Sequence, residues 1–407
     1  MKTLYNHLIA GLTFGLLIIA AGCGSNDSES LETSAPVDSS VAQAVDSSQL
    51  APPVPKILPN PYFNELAQLI AGTVPFDSLN LLNVDSAYYA MYQQRMGKNF
   101  QQITADRLKP MEDFFGGELK REGVDETLPV FYPFAGGDFL HVHQVYPHSR
   151  DYHLFALEPI GQIPDYSSVS ATEMDSLLHD TETMLRDIFK RSYFITKNMT
   201  SDIQSENRTS GLIYTMLWAI GITGHEVYHV EQLHLDSVGV AQTDTVKGRE
   251  VTFEQGIRIS FKEKAATEMR YLTYLDCDIS NRKLKRDTAM LTHLKALPRS
   301  NTFMKAASYL PHYYFFSTIR EIILDRSETI IQDDTGIPWR HVNKKEFKPR
   351  LFGVYAPPVS DFTADTLYQP DLERAYLDSN YFGGKMPFSL GYHWNSKLQN
   401  QMMFVRQ

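Results

Sequence analysis

Residues 221–235 read Gly-Ile-Thr-Gly-His225-Glu226-Val227-Tyr228-His229-Val230-Glu231-Gln232-Leu233-His234-Leu235. Whether this stretch is helix or strand decides both the fold and the chemistry open to the chain. As a helix, HEVYH is the HExxH signature: His225 and His229 share a face and can both bind Zn²⁺, with Glu226 polarising a metal-bound water. Ile222, Thr223, Val227, Tyr228 and Val230 are the uncharged flanks such a helix prefers; Glu231 is not. A third ligand could come from His234, Glu263 or Glu268, and spacing does not choose among them. The local sequence argues for a strand instead. Gly224 stands where a helix ending at Thr223 needs a left-handed residue. Residues 227–235 repeat β-formers, and Asp236-Ser237-Val238-Gly239 reads as a turn. On a strand the two histidines still share a face, but at about 3.3 Å per residue they stand about 13 Å apart. One zinc with bonds of about 2.1 Å does not span that. A strand is therefore expected, with a zinc-dependent hydrolase as the alternative.

The neighbourhood agrees with a mixed sheet. Residues 210–223 form an apolar helix, and 257–261 and 268–276 alternate as strands. Upstream, LPVFYP (128–133) and YHLFAL (152–157) are short apolar strands, and FLHVHQVY (139–146) is a helix between them. Asn60–Ala71 is a helix closed by Gly72, and a second helical region runs from Ser86 to Phe115, ending at Gly116-Gly117. Ser170 and Glu173 form a capping box ahead of a helix carrying Leu177, Leu178, Met184, Leu185, Ile188 and Phe189. Phe315–Arg326 is helical, followed by the strand TIIQ (329–332) and the turn DDTG. From about residue 345 the aromatic, Pro- and Gly-rich C-terminus reads as an irregular wrap. The fold class is thus α/β: one domain over 57–407, a mixed sheet with helices packed on it.

The first residues are an address. Lys2 precedes an apolar run from Leu8 to Ala21, and Ala20, Ala21 and Gly22 stand directly before Cys23. This resembles a bacterial lipoprotein signal over residues 1–22, with Ala20 where such signals usually carry Leu. Cys23 would be diacylated, palmitate-type chains holding the protein in the outer membrane. Residues 23–56, rich in Ser, Asp, Ala and Pro and without aromatics, read as a disordered tether. Asp27 and Glu29 resemble surface-export signals, so the protein faces the periplasm or the cell surface. With 38 basic against 48 acidic residues the net charge is −10, which gives no pull toward nucleic acid. The partner expected is the membrane, through Cys23, with a protein or glycan of the envelope beyond it. With 2 cysteines, of which Cys23 would be acylated, no disulfide framework exists.

Four weaker constellations carry chemistry. His141 and His143, with His148 and His153 nearby, form an HxH pair, but on a helix residues two apart diverge, which favours surface or core-edge histidines. Ala135-Gly136-Gly137-Asp138 joins a strand to a helix, where α/β sheets tend to bind ligands. Asp138 would cap the helix and repel a phosphate. It is a candidate pocket turn for a metal-independent enzyme, with Asp333 or Arg320 contributing. Asp333-Asp334 are expected to bond backbone amides or Arg320. Arg282, Lys283, Lys285 and Arg286, and Lys344-Lys345, are basic runs of the kind found on solvated faces. Cys277 reads as a buried structural thiol, and there is no nucleophile elbow, P-loop or dinucleotide fingerprint.

From about residue 128 onward several stretches resemble an uncharacterised family of bacterial proteins: FYPFAGGDFL (131–140), FALEPIG (155–161), YFITKNM (193–199), KAASYLPH (305–312), FSTIREIILDRSETIIQDDTGIP (316–338) and PFSLGYHW (387–394). The resemblance implies a shared fold and envelope context, not a reaction. The family carries Ser where this chain has Ala135 and Pro where it has Gly137, so a serine nucleophile at that turn is closed to this chain. Its segment after the Thr-Gly pair is strand-like and lacks HExxH, which implies that His225 and His229 are incidental. The function expected is that of a lipid-anchored envelope protein binding an envelope or surface component.

Overall fold

A computed structural model of the chain describes residues 58–193, 211–360, 362 and 365–407. The signal, Cys23, the tether to residue 56 and most of YFITKNM lie outside the described residues. Lys56–Gln407 constitutes one contact unit. Asn60 accepts from the N–H groups of Tyr62 and Phe63, and Gly72 closes the helix at φ +68°, so both ends of α1 (Pro61–Ala71) are set locally. Helix α2 (Ser86–Ile103) passes through a π turn (Thr104–Leu108) into α3 (Lys109–Glu122). Contrary to expectation, this helix does not stop at Gly116-Gly117. Phe115, Glu118 and Leu119 are buried beside them, and that packing outweighs the cost of about 1 kcal/mol per mid-helix glycine.

Strand β1 (Val130–Pro133), helix α4 (Phe139–Val145), strands β2 (Asp151–Ala156) and β3 (Gly161–Ile163), and helices α5 (Ala171–Arg191) and α6 (Ile213–Ile222) follow. The capping box of Ser170 and Glu173 is formed. Next come β4 (His225–Leu235), β5 (Ala241–Thr245), β6 (Val251–Phe253), β7 (Gly256–Glu263), β8 (Arg270–Asp276), α7 (Asn281–Leu284), α8 (Thr288–Ala296), β9 (Ser300–Met304), α9 (Ser317–Arg326), β10 (Ser327–Gln332), β11 (Phe347–Gly353), α10 (Pro370–Leu377), β12 (Phe382–Gly384) and β13 (Asn400–Arg406).

Eleven strands make one mixed sheet in the order β12-β11-β13-β10-β9-β1-β2-β8-β7-β4-β5; β3 and β6 pair separately. The centre, β10-β9-β1-β2-β8, is parallel throughout. Antiparallel strands flank it, β13 and β11 on one side and β7, β4 and β5 on the other. The C-terminal segment is therefore not an irregular wrap. Its strand β13 sits inside the sheet between β10 and β11, which single-strand periodicity could not reveal because Met402, Met403 and Phe404 are buried in succession. Side chains alternate between two cores. Val130, Tyr132, Leu154, Ile331 and Met403 join the core of α1–α6. Phe131, Phe155, Ile330, Met402 and Phe404 join that of α7–α10. The sheet is a middle layer between two helical layers.

Chain direction positions the site. From β1 the chain adds β2 and then β8 on one side; it then crosses over to add β9 and β10 on the other. The order reverses between β1 and β9, and in such sheets the crevice outside the carboxyl ends at that point is where ligands bind.

Candidate functional site at the carboxyl ends of the parallel strands

A cavity of about 150 Å³ opens at this reversal. Its walls come from the segments that leave four parallel strands: Phe134–Gly136 and Asp138 after β1, Leu157 and Glu158 after β2, Cys277–Ile279 after β8, and Lys305–Ser308 after β9. A larger groove of about 830 Å³ lies between α2 and α5. Two of its cations are already engaged, Arg95 with Glu182 and Arg107 with the carbonyls of Ile188 and Phe189, and no residue at the end of a parallel strand lines it. The smaller cavity holds the concentrated chemistry.

At its floor Asp138 and Lys305 form a buried ion pair, Nζ to Oδ2 at 2.7 Å, with both side chains almost fully removed from solvent. The hydroxyl of Tyr132 donates to the same Oδ2 at 3.1 Å, and Nδ1 of His141 lies 2.7 Å from Oδ1. Lys305 also donates to the carbonyl of Ser192, the residue that ends α5, a favourable place for a cation. Burial would raise the Asp138 carboxyl, but His141 and Lys305 outweigh it and hold it at about 2. Burial lowers Lys305, and Asp138 offsets part of this. His141 is pushed down to about 4 by burial against the opposing pull of Asp138. At neutral pH Asp138 is thus a carboxylate, ion-paired with Lys305, and His141 a neutral imidazole whose Nδ1–H donates to it. The Nε2 of His141 is buried and has no hydrogen-bond partner among the described residues.

Two glycines let the turn sit here. Gly136 has φ +54°. A Cβ on Gly137 would stand 2.2 Å from Oγ1 of Thr215 on α6, so only glycine permits that approach. Asp138 caps α4 as expected, but capping is a small part of its role, and Lys305 cancels the charge expected to repel anions.

Backbone strain gathers at the same place. Among the described residues five non-glycines have positive φ: Phe134, Ser192, Ala306, Ser308 and Tyr309. Phe134, Ala306 and Ser308 line the cavity, Ser192 accepts from Lys305, and Tyr309 follows Ser308. Such residues cost on the order of 1–3 kcal/mol each, persist where the surroundings over-determine them, and cluster at functional sites.

Asp333 and Asp334 supply that over-determination. Asp333 accepts from the N–H of Ala306 at 2.8 Å and from the N–H of Thr335 at 3.0 Å. Asp334 accepts from the hydroxyl of Tyr309 at 2.5 Å and from Nδ2 of Asn400 at 3.0 Å, and lies 3.2 Å from Nε2 of His393. Burial and the charge of Asp334 push Asp333 up to about 6. Burial lowers His393, but its bond to Asp334 prevails and raises it. The expectation of backbone amide partners holds for Asp333. Arg320 is not a partner of either acid; its guanidinium donates to the carbonyl of Pro311.

The other sequence candidates fall elsewhere. HEVYH lies on β4, with Gly224 at φ +81° after α6. A β-bulge between Val227 and His229 alters the register against β7. It turns His225 and His229 to opposite faces, which corrects the expectation of a shared face. His225 is buried against His143, ring centroids 4.9 Å apart, and against Phe261, whereas His229 is exposed. Glu226 accepts from Tyr228, His234 is exposed, and Glu268 pairs with Arg150 at 2.5 Å. Glu263 lies 3.9 Å from His225. The strand thus does not converge the zinc ligands, and among the described residues no three His, Cys, Asp or Glu side chains gather to hold a metal.

His141 and His143 diverge along α4 as expected, but both are buried rather than at the surface. His148 is exposed and His153 half-buried. Cys277 lines the cavity with its thiol pushed up chiefly by burial, the reverse of an activated nucleophile. Arg282, Lys283, Lys285 and Arg286 are exposed. Lys344 lies over the ring of Trp339.

Lys305, Tyr309, His393 and Asn400 were missed from sequence. The one local signal was a lysine directly following the fully buried strand SNTFM. No protein-family model, no curated protein and no solved structure matches this chain.

Proposed function

We propose that this chain is an exported, lipid-anchored protein of the bacterial envelope whose globular unit takes a small polar ligand into the crevice between β1 and β9. The observation that carries the ligand site is the buried Tyr132–Asp138–His141–Lys305 cluster at the point where strand order reverses. A buried ion pair is weak evidence of stabilisation, and here it is accompanied by strained backbone that a purely structural turn does not need. The lipoprotein-like signal ending at Cys23 and the acidic tether support the anchor. The test has two arms. The Cys23→Ser chain should leave the membrane fraction for the soluble one; retention in the membrane overturns the anchor. A thermal-shift screen of small polar compounds should find ligands for the wild-type chain that Leu157→Trp, placed at the exposed mouth, no longer binds. Equal response of the two proteins overturns the crevice as the site.

A second reading, a metal-independent enzyme at the same turn, is favoured by the same cluster. Lys305, Asp138 and His141 form a connected, buried proton-holding set within hydrogen-bond reach of one another, the geometry that proton transfer to a bound substrate needs.

A further inference from the structure

We infer that the crevice selects an uncharged polyhydroxylated ring, a single sugar residue, over organic ions; this rests on the ligand-binding reading above. The cavity of about 150 Å³ is well below the roughly 300–1,000 Å³ of drug-sized sites, so it takes one ring rather than a chain. Its walls are aromatic: Phe134, Phe155, Phe316, Tyr193 and Tyr392 all line it. The negative face of an aromatic ring attracts the polarised C–H face of a pyranose.

The polar groups exclude the alternatives. Among the described residues Asp138 and Asp278 line the cavity together with one ammonium, Lys305. Lys305 is already paired with Asp138, so a carboxylate or phosphate ligand would meet the charge of Asp278. A purely cationic ligand would find acceptors but would waste the donors. Lys305 has three protons, and the bonds to Asp138 and Ser192 use two. Ser308 and Tyr392 share one hydrogen bond at 2.8 Å, which leaves their hydroxyls further capacity. Asp278 takes the N–H of Ser280 on Oδ1 alone at 2.8 Å. Donors and acceptors alternating around a small aromatic cavity suit hydroxyl groups, each of which both gives and takes a hydrogen bond.

The test is isothermal titration of the full-length chain with D-glucose, D-galactose and N-acetyl-D-glucosamine, with acetate, inorganic phosphate and putrescine alongside. The proteins compared are wild type, Asp278→Ala and Tyr392→Phe. Both variants keep the core packing, and circular dichroism checks that they remain folded. The expected result is saturable binding of at least one of the sugars, weakened tenfold or more in each variant. Tighter binding of acetate, phosphate or putrescine, with the same sensitivity to the variants, overturns the sugar assignment and leaves the crevice reading intact. Absence of binding by every probe, or sugar binding unchanged in both variants, overturns the sugar assignment and the crevice reading together.

Discussion

Asp138 and Lys305 show how little of a buried residue's role its local sequence conveys. In FAGGD an aspartate before an apolar helix reads as a cap, and it is one. Its main partner comes from 167 positions downstream, at the end of β9. Removing one member strands the other as a buried charge, which costs about 3–5 kcal/mol. Asp138→Asn and Lys305→Met are each expected to lose that much in urea unfolding, while the double variant loses less than the sum of the two. Strict additivity would mean that the pair is not coupled. His225 and His229 give a second residue-scale contrast. A zinc helix would make them equivalent, whereas the bulged strand makes them unequal. His225→Ala removes a ring packed on His143 and Phe261 and should cost about 2 kcal/mol, while the exposed His229→Ala should stay within about 0.5 kcal/mol. Equal losses in thermal melts would contradict the strand placement.

Elements were legible where their ends carry their own chemistry. Asn60 and Gly72 bound α1, the Ser170–Glu173 box starts α5, and Gly224 separates α6 from β4. Each signal is satisfied by groups within a few residues, so no tertiary knowledge is needed to read it. The element most poorly read was β13. It is buried on both faces, and its run NQMMFVR has no alternation to betray a strand. Its place between β10 and β11 makes it indispensable: without it two interior strands would become edges with unpaired backbone groups. A chain truncated after Gln399 is expected to show no cooperative thermal transition by circular dichroism. A sharp melt would show that the sheet closes without it.

At the scale of the whole molecule, buried titratable groups predict the response to pH. Burial chiefly lowers His141, His153, His225 and His312 to about 4, and holds His143 well below its ordinary value. Unfolding frees these rings to bind protons near their ordinary value of about 6.5. The stability they contribute is whole above that pH and drains as pH falls toward 4. Asp138, held at about 2, adds a loss only below its unfolded value of about 3.8. Asp333 opposes them: pushed up to about 6, it disfavours the folded state above that pH and relieves it as pH falls. Asp276, also pushed up to about 6 by burial and by Glu158, acts in the same sense; with more histidines than aspartates, stability should drop between pH 6.5 and 4.5. Asp333→Asn should gain on the wild type by about 1 kcal/mol on going from pH 5 to pH 8. Urea midpoints across that range check both signs, and a relative gain at low pH would reverse the assignment of Asp333.

Local patterns in the sequence were enough for the α/β class, most of the parallel strands, the strand nature of 225–235 and the glycine turn at 136–137. Helix caps, turn glycines and apolar runs act over a few residues. Only the tertiary structure decided strand order, and with it the reversal between β1 and β9 that makes the crevice. It likewise decided that Lys305 meets Asp138, that Asp333 holds Ala306 in a left-handed conformation, and that a one-residue bulge parts His225 from His229. Each of these depends on pairing between segments far apart in the chain, and no local propensity encodes which segments will meet.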